Sequence, residues 1–114
     1  MLKKTQRISS KRLISLLFKK GNLYNHFHFK VRFLPSLHSV NQFAVVVSKK
    51  VSPKAVQRNR IKRQLTEIIR LELPRFHPPL VALILVKSSP TYPYELLHRE
   101  VMDFLRYYPS SIHV

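Results

Sequence analysis

Residues 1–66 of this chain hold sixteen Lys and Arg and no Asp or Glu, whereas residues 67–114 hold five of each. The whole formal net charge of +16 therefore sits in the first part. A folded domain with that imbalance repels itself unless a polyanion neutralises it, so the chain calls for a partner dense in negative charge. Nucleic acid is the first candidate and an anionic membrane surface the second. The imbalance is sharpest in 48–63, where Lys49, Lys50, Lys54, Arg58, Arg60, Lys62 and Arg63 crowd together with no acid among them. We read this stretch as a phosphate-binding segment and the rest of the chain as its mount.

With 114 residues and 45% hydrophobic content, the chain suits one domain, 1–114, around one core. It has no Cys, which excludes disulfide frameworks and thiolate metal sites and fits a reducing compartment, with the cytoplasm as the default. Lys and Arg interrupt the apolar positions of the N-terminus, so it reads as neither a signal-peptide core nor a spanning segment. The longest apolar run, Leu80 to Val86, suits a buried strand.

Hydrophobic spacing predicts six elements in the order α-β-β-α-β-α. Leu13 with Leu17 and Ile14 with Phe18 make two i, i+4 pairs on a helix over 10–20. Gly21, the only glycine, is expected just past its end in a left-handed conformation. Phe27, Phe29, Val31 and Phe33 then alternate with His26, His28, Lys30 and Arg32, which predicts a strand with a buried and a cationic face. Residues 43–48 are apolar on both sides, as in an interior strand. Ser52 is expected to cap a helix running to about Leu73, with Pro53 in its first turn. On this helix Ile61, Leu65, Ile68 and Ile69 share one arc. Asn59, Arg60, Lys62, Arg63 and Arg70 take the other side, and Arg58 lies at the boundary. After the strand 80–87, Leu97, Val101, Phe104, Leu105 and Tyr108 mark a last helix. The expected architecture is α/β (α+β): a two-layer sandwich of helices on a small mixed sheet.

Charge runs on helices are most often solvated surface. Ordinary solvated faces interleave Glu with Lys, however, and this one has no acid before Glu67. Arg suits phosphate because its planar fork makes paired hydrogen bonds. The alternating Phe residues read as plain core. Across from them, His28, Lys30 and Arg32 could contact a single strand laid over the sheet. With no carboxylate or Cys close to His26 and His28 in the sequence, no metal site is expected there.

The run Val47-Ser48-Lys49-Lys50, then Ala55-Val56, then Arg58-Asn59-Arg60-Ile61-Lys62-Arg63 and Glu67 resembles the signature of the bacterial ribonuclease P protein component. Arg7-Ile8, Phe18-Lys19 and Gly21 resemble that family's opening helix. The resemblance implies a small subunit that binds a catalytic RNA, the two together cutting the 5′ leader from precursor tRNA, with the RNA carrying the chemistry. It implies RNA-subunit contacts for Arg58, Asn59, Arg60, Lys62 and Arg63, with phosphate contacts from Lys49, Lys50 and Lys54. Phe18, Ser48 and Lys87 would line or border a leader cleft. It further implies Mg2+ at the holoenzyme active site held mainly by RNA, no obligate protein partner, and a left-handed βαβ crossover against the usual right-handed rule. Three positions depart from the pattern: Ile14 and Arg32 stand where the family often has aromatics, and Thr66 where it often has Arg. Leader binding would then be more electrostatic.

The residues themselves argue against a solitary hydrolase. There is no GxSxG elbow, HExxH pair or Gly-rich phosphate loop, and the basic half has no acid to seat Mg2+. Two other classes stay open: a non-catalytic RNA-binding protein of ribosomal type, and a His-dependent nuclease acting alone. A membrane-surface role ranks below these, because burial of Ile61, Leu65 and Ile68 leaves the cationic helix no broad apolar face to insert.

Overall fold

Ser10 starts the first helix by accepting a hydrogen bond on its Oγ from the Leu13 amide at 3.3 Å. That satisfies one of the donors a helix start leaves over. The helix, α1, is Lys11–Lys20, and Lys19 and Lys20 in its last turn complement the negative end of its dipole. Gly21 follows, but with φ −67° and ψ 145° it is extended rather than left-handed as expected. The need for glycine is one of space. Its N–H donates to the Leu17 carbonyl oxygen at 2.9 Å, and a Cβ there would lie 2.3 Å from that oxygen.

The computed structural model describes residues 6–8, 10–26, 28–36, 40–87 and 94–111. Phe27, assigned above to the alternating strand, lies outside them. That strand is β2 (Phe29–Pro35), and a short strand the sequence reading did not contain, β1 (Asn22–Asn25), pairs antiparallel with it. The sheet order is β1-β2-β4-β3, where β3 is Gln42–Val47 and β4 is Leu80–Val86. β4 runs antiparallel to β2 and parallel to β3. The seven-residue apolar run is thus an interior strand. β3, expected in the interior, is an edge strand. Its apolar character on both sides reflects packing above and below the sheet, while the Ile8 amide donates to the Phe43 carbonyl oxygen at 3.1 Å and partly covers the edge.

The helix α2 (Ala55–Glu72) joins β3 to β4 and completes the βαβ unit; a 3-10 turn at Leu73–Arg75 ends it. Its N-cap is Lys54, without a side-chain cap, so Ser52 does not cap it as expected. Ser52 is instead buried in the preceding loop, where its Oγ accepts from the Lys54 amide at 3.3 Å and donates to Gln57 Oε1 at 2.6 Å. The last helix, α3, is Tyr94–Ser111.

Ile61, Leu65, Ile68 and Ile69 of α2 and Leu97, Val101, Phe104 and Tyr108 of α3 are buried against Phe29, Val31 and Phe33 of β2, Phe43 and Val45 of β3, and alternate residues of β4. Each such side chain contributes roughly 1.5–3 kcal/mol relative to leaving it in water. α1 packs on the opposite face, where Leu17 is buried with Val81 and Leu83. The mixed α/β domain is therefore α2 and α3 on a four-stranded sheet, with α1 as a partial cover behind it. Among the described residues no helix is long and apolar enough to cross a membrane.

Candidate nucleic-acid interface

Strand register decides which polar residues meet on the face under α1. Across the sheet, Leu23, Arg32, Leu83 and Ala44 are paired in one row, and Asn25, Lys30, Leu85 and Val46 in the next. Lys87, just past the end of β4, reaches Asn25 of the second row, and Ser48 follows Val47 at the end of β3. α1 covers the first row through Leu17 and leaves much of the second open; Val46 is 44% exposed. Phe18, 48% exposed, stands at the border, with the Arg32 guanidinium 5.4 Å from its ring centroid. Arg32 also donates from Nη1 to the Phe18 carbonyl oxygen at 3.3 Å, while its Nε is buried without a hydrogen-bond partner among the described residues. Lys87 donates from Nζ to Asn25 Oδ1 at 2.6 Å. Phe18, Lys30, Arg32 and Lys87 thus come together from α1, β2 and the end of β4 onto one partly apolar, cationic surface, with Ser48 at the end of the neighbouring β3.

His28 does not join them. The chain bends before β2 and turns the imidazole toward α3, where His28 Nδ1 lies 2.6 Å from Glu100 Oε1. The expectation of His28 beside Lys30 and Arg32 is therefore corrected, and so is the expectation that no carboxylate lies near the two histidines. Glu100 is 72 residues away in the chain, beyond the reach of spacing arguments.

The second surface is the outer side of α2 and the loop before it. Lys49, Lys50, Lys54, Asn59, Arg60, Lys62 and Arg63 are exposed. Arg58 is half-buried, and its Nη1 donates to the Ser52 carbonyl oxygen at 2.9 Å. Arg70 is withdrawn from the cationic face: its Nε donates to Glu67 Oε2 at 3.0 Å, and these hydrogen bonds hold the Glu67 carboxyl below its ordinary pKa. An open groove of about 880 Å³ runs between α2, β3 and the segment at Arg7 and Ile8. Phe43 and Val45 contribute to its apolar lining, and Arg7, Asn59, Lys62 and Arg63 give it a cationic, hydrogen-bonding rim. Charge patterning along the chain could not bring Arg7 to α2, because the bridge to Phe43 does that in three dimensions.

The family model for Ribonuclease P matches residues 2–108. The chain is 34% identical over 110 residues to the ribonuclease P protein component of Rippkaea orientalis, a match covering 91% of this chain and 87% of the relative. It is 31% identical over 111 residues to the component from a Synechococcus strain, covering 93% and 84%. In fold it is similar to the RNase P protein of Staphylococcus aureus, with TM-score 0.80 and 20% identity over 90% of this chain and 94% of that one. The Thermotoga maritima RNase P protein gives TM-score 0.79 and 21% identity over 88% and 94%.

Proposed function

Because the chain belongs to the ribonuclease P protein family, we propose that it is the protein subunit of that ribonucleoprotein endoribonuclease and works in the cytoplasm on precursor tRNA, with the bond chemistry carried by the RNA subunit. Its α2 surface binds the catalytic RNA. Arg60, Lys62 and Arg63, with Lys49, Lys50 and Lys54 in the preceding loop, neutralise phosphates and release their counterions. Asn59 adds a neutral donor and acceptor at the groove, and Arg58 holds the loop in place. The face under α1 takes the single-stranded 5′ leader: Phe18 and the Arg32 guanidinium offer stacking planes, and Lys30 and Lys87 offer charge.

The observation that carries this reading is the meeting of Phe18, Lys30, Arg32 and Lys87 on an open face separate from the α2 cations. Two distinct polyanion-binding surfaces suit a protein that bridges a folded RNA and a substrate strand. Neither surface fits a Mg2+ cage. Mg2+ demands hard oxygen ligands in octahedral array, and Glu67, the one acid among the described residues that line the cationic groove, is taken up by Arg70. The ions of the holoenzyme would be seated mainly by RNA, and the protein's part is to lower repulsion between the two RNAs.

Reconstitution with a bacterial ribonuclease P RNA at low Mg2+ tests the proposal. The chain should restore cleavage at the mature 5′ end of precursor tRNA. Tight RNA binding with no such stimulation would favour a ribosomal-type role, and cleavage by the polypeptide alone in chelator would overturn the division of labour.

A further inference from the structure

His26, which follows β1, and His28, which precedes β2, both approach one oxygen of Glu100. Their Nδ1 atoms lie 2.6 Å from Glu100 Oε1, and the three potential ligand atoms fall within 4.8 Å of one another. Glu100 is 2% exposed, and its second oxygen, Oε2, is buried without a hydrogen-bond partner among the described residues. His26 Nδ1 is buried too and, despite its short distance, has no well-aligned hydrogen bond. A hydrogen-bonded cluster would give each donor its own acceptor, because an unsatisfied buried carboxylate oxygen is costly. Here two imidazoles crowd one oxygen and the other is left over, which is how ligand atoms gather around a cation.

We propose that His26, His28 and Glu100 form a site for a divalent transition ion of the Zn2+ class. Two imidazole nitrogens and one carboxylate are a three-ligand Zn2+ set with a fourth position open to water. Imidazole also selects Zn2+ over Mg2+, so the site is distinct from the ions that act with RNA. At metal–ligand distances of about 2.0–2.2 Å the three donor atoms would move slightly apart and relieve their crowding. Asp103 stands beside the cluster: its Oδ2 lies 3.7 Å from His26 Nε2, on the side from which a carboxylate would orient a metal-bound imidazole once the ring closes on the ion. Arg106 holds the other Asp103 oxygen at 2.6 Å. His26 and His28 are 25% and 16% exposed and leave the ion a way in.

The consequence is a clamp between the β1–β2 connection and α3. The His28 carbonyl oxygen accepts from the Lys87 amide at 2.8 Å, so a metal held there also fixes the residue that borders the open sheet face.

The test uses the RNA-free full chain titrated with Zn2+ by calorimetry and with Co2+ by visible absorption, followed by thermal melts. One equivalent should bind, with Co2+ bands of low coordination number and a raised Tm. His26→Ala and His28→Ala should each abolish the bands and the Tm rise. Asp103→Asn should weaken binding about 10- to 100-fold. His98→Ala, at a histidine that faces Glu72, should change nothing. The histidine variants carry the test if Glu100→Gln fails to fold. Absence of stoichiometric binding, or binding that survives loss of both histidines, would overturn the site.

Discussion

The Arg58 guanidinium donates to the Ser52 carbonyl oxygen across 2.9 Å, which ties the loop carrying Lys49, Lys50 and Lys54 to the first turn of α2. Ser52 is buried and bonded on both sides, so the loop has little freedom to swing away. Cations that would otherwise spread apart are held as one surface. Their mutual repulsion is a standing cost, and a bound polyanion relieves it.

Arg58 and Arg60 should therefore behave differently. Arg58→Ala should destabilise the free protein by about 1 kcal/mol through the lost hydrogen bond and also weaken RNA binding. Arg60→Ala, on an exposed side chain, should change stability by less than about 0.5 kcal/mol. It should nevertheless flatten the log-log salt dependence of RNA affinity by about one unit per lost phosphate contact. Urea melts and salt titrations separate the two effects. An unchanged slope for Arg60→Ala would show that it does not meet a phosphate.

Arg32 should govern the choice between precursor and mature tRNA. Its guanidinium is held over Phe18, and its Nε has no partner among the described residues. Removing a cation–π and stacking element of this kind costs on the order of 1 kcal/mol, about fivefold in affinity. Arg32→Ala should lose that much preference for precursor while leaving assembly with the RNA subunit nearly intact. Arg32→Lys should recover only part of it, since charge is kept and the planar stack is lost. Equal effects on both tRNA forms would remove Arg32 from the leader surface.

Periodicity is a local signal, and what it predicted is local. The arc of Ile61, Leu65, Ile68 and Ile69 and the alternation of Phe29, Val31 and Phe33 both packed as the spacing required. β1 was missed because Asn22–Asn25 holds two asparagines and too few residues for a period to show. β3 was placed in the interior because a strand covered above and below looks the same in sequence whether or not it has two neighbours. The cationic surface of α2 was legible because an acid-free run has few explanations. The neighbourhood of His26 and His28 was not, because a bend redirects His28 and the carboxylate it meets comes from α3. Gly21 was expected in the right place for the wrong physical reason.

That reason predicts a particular outcome for Gly21→Ala. With φ at −67° the backbone would accept any residue, so no conformational strain is expected. The added methyl would instead press on the Leu17 carbonyl oxygen, a backbone atom that cannot rotate away. Overpacking of this sort costs about 1–3 kcal/mol. Urea denaturation should show a loss in that range, with the end of α1 displaced and leader binding reduced more than binding to the RNA subunit. A neutral substitution would mean that α1 can shift without consequence.

Tyr108 should make the fold sensitive to alkali. It is fully buried, its hydroxyl donates to the Pro78 carbonyl oxygen at 2.9 Å, and burial pushes its pKa from 10.0 up to about 12. The folded protein therefore keeps a proton that the unfolded chain releases near pH 10. The stabilisation linked to this proton is complete below pH 10 and is lost as pH rises through about 12. Tyr108→Phe removes the hydrogen bond, at a cost of about 1 kcal/mol at neutral pH, but also removes the titration. The difference in stability between wild type and Tyr108→Phe should accordingly shrink above pH 10 and then reverse, whatever the other tyrosines and lysines contribute to both. Urea melts across this range, read with phenolate absorbance, measure that difference. If it stays constant to pH 12, the buried phenol is not what the fold protects from ionisation.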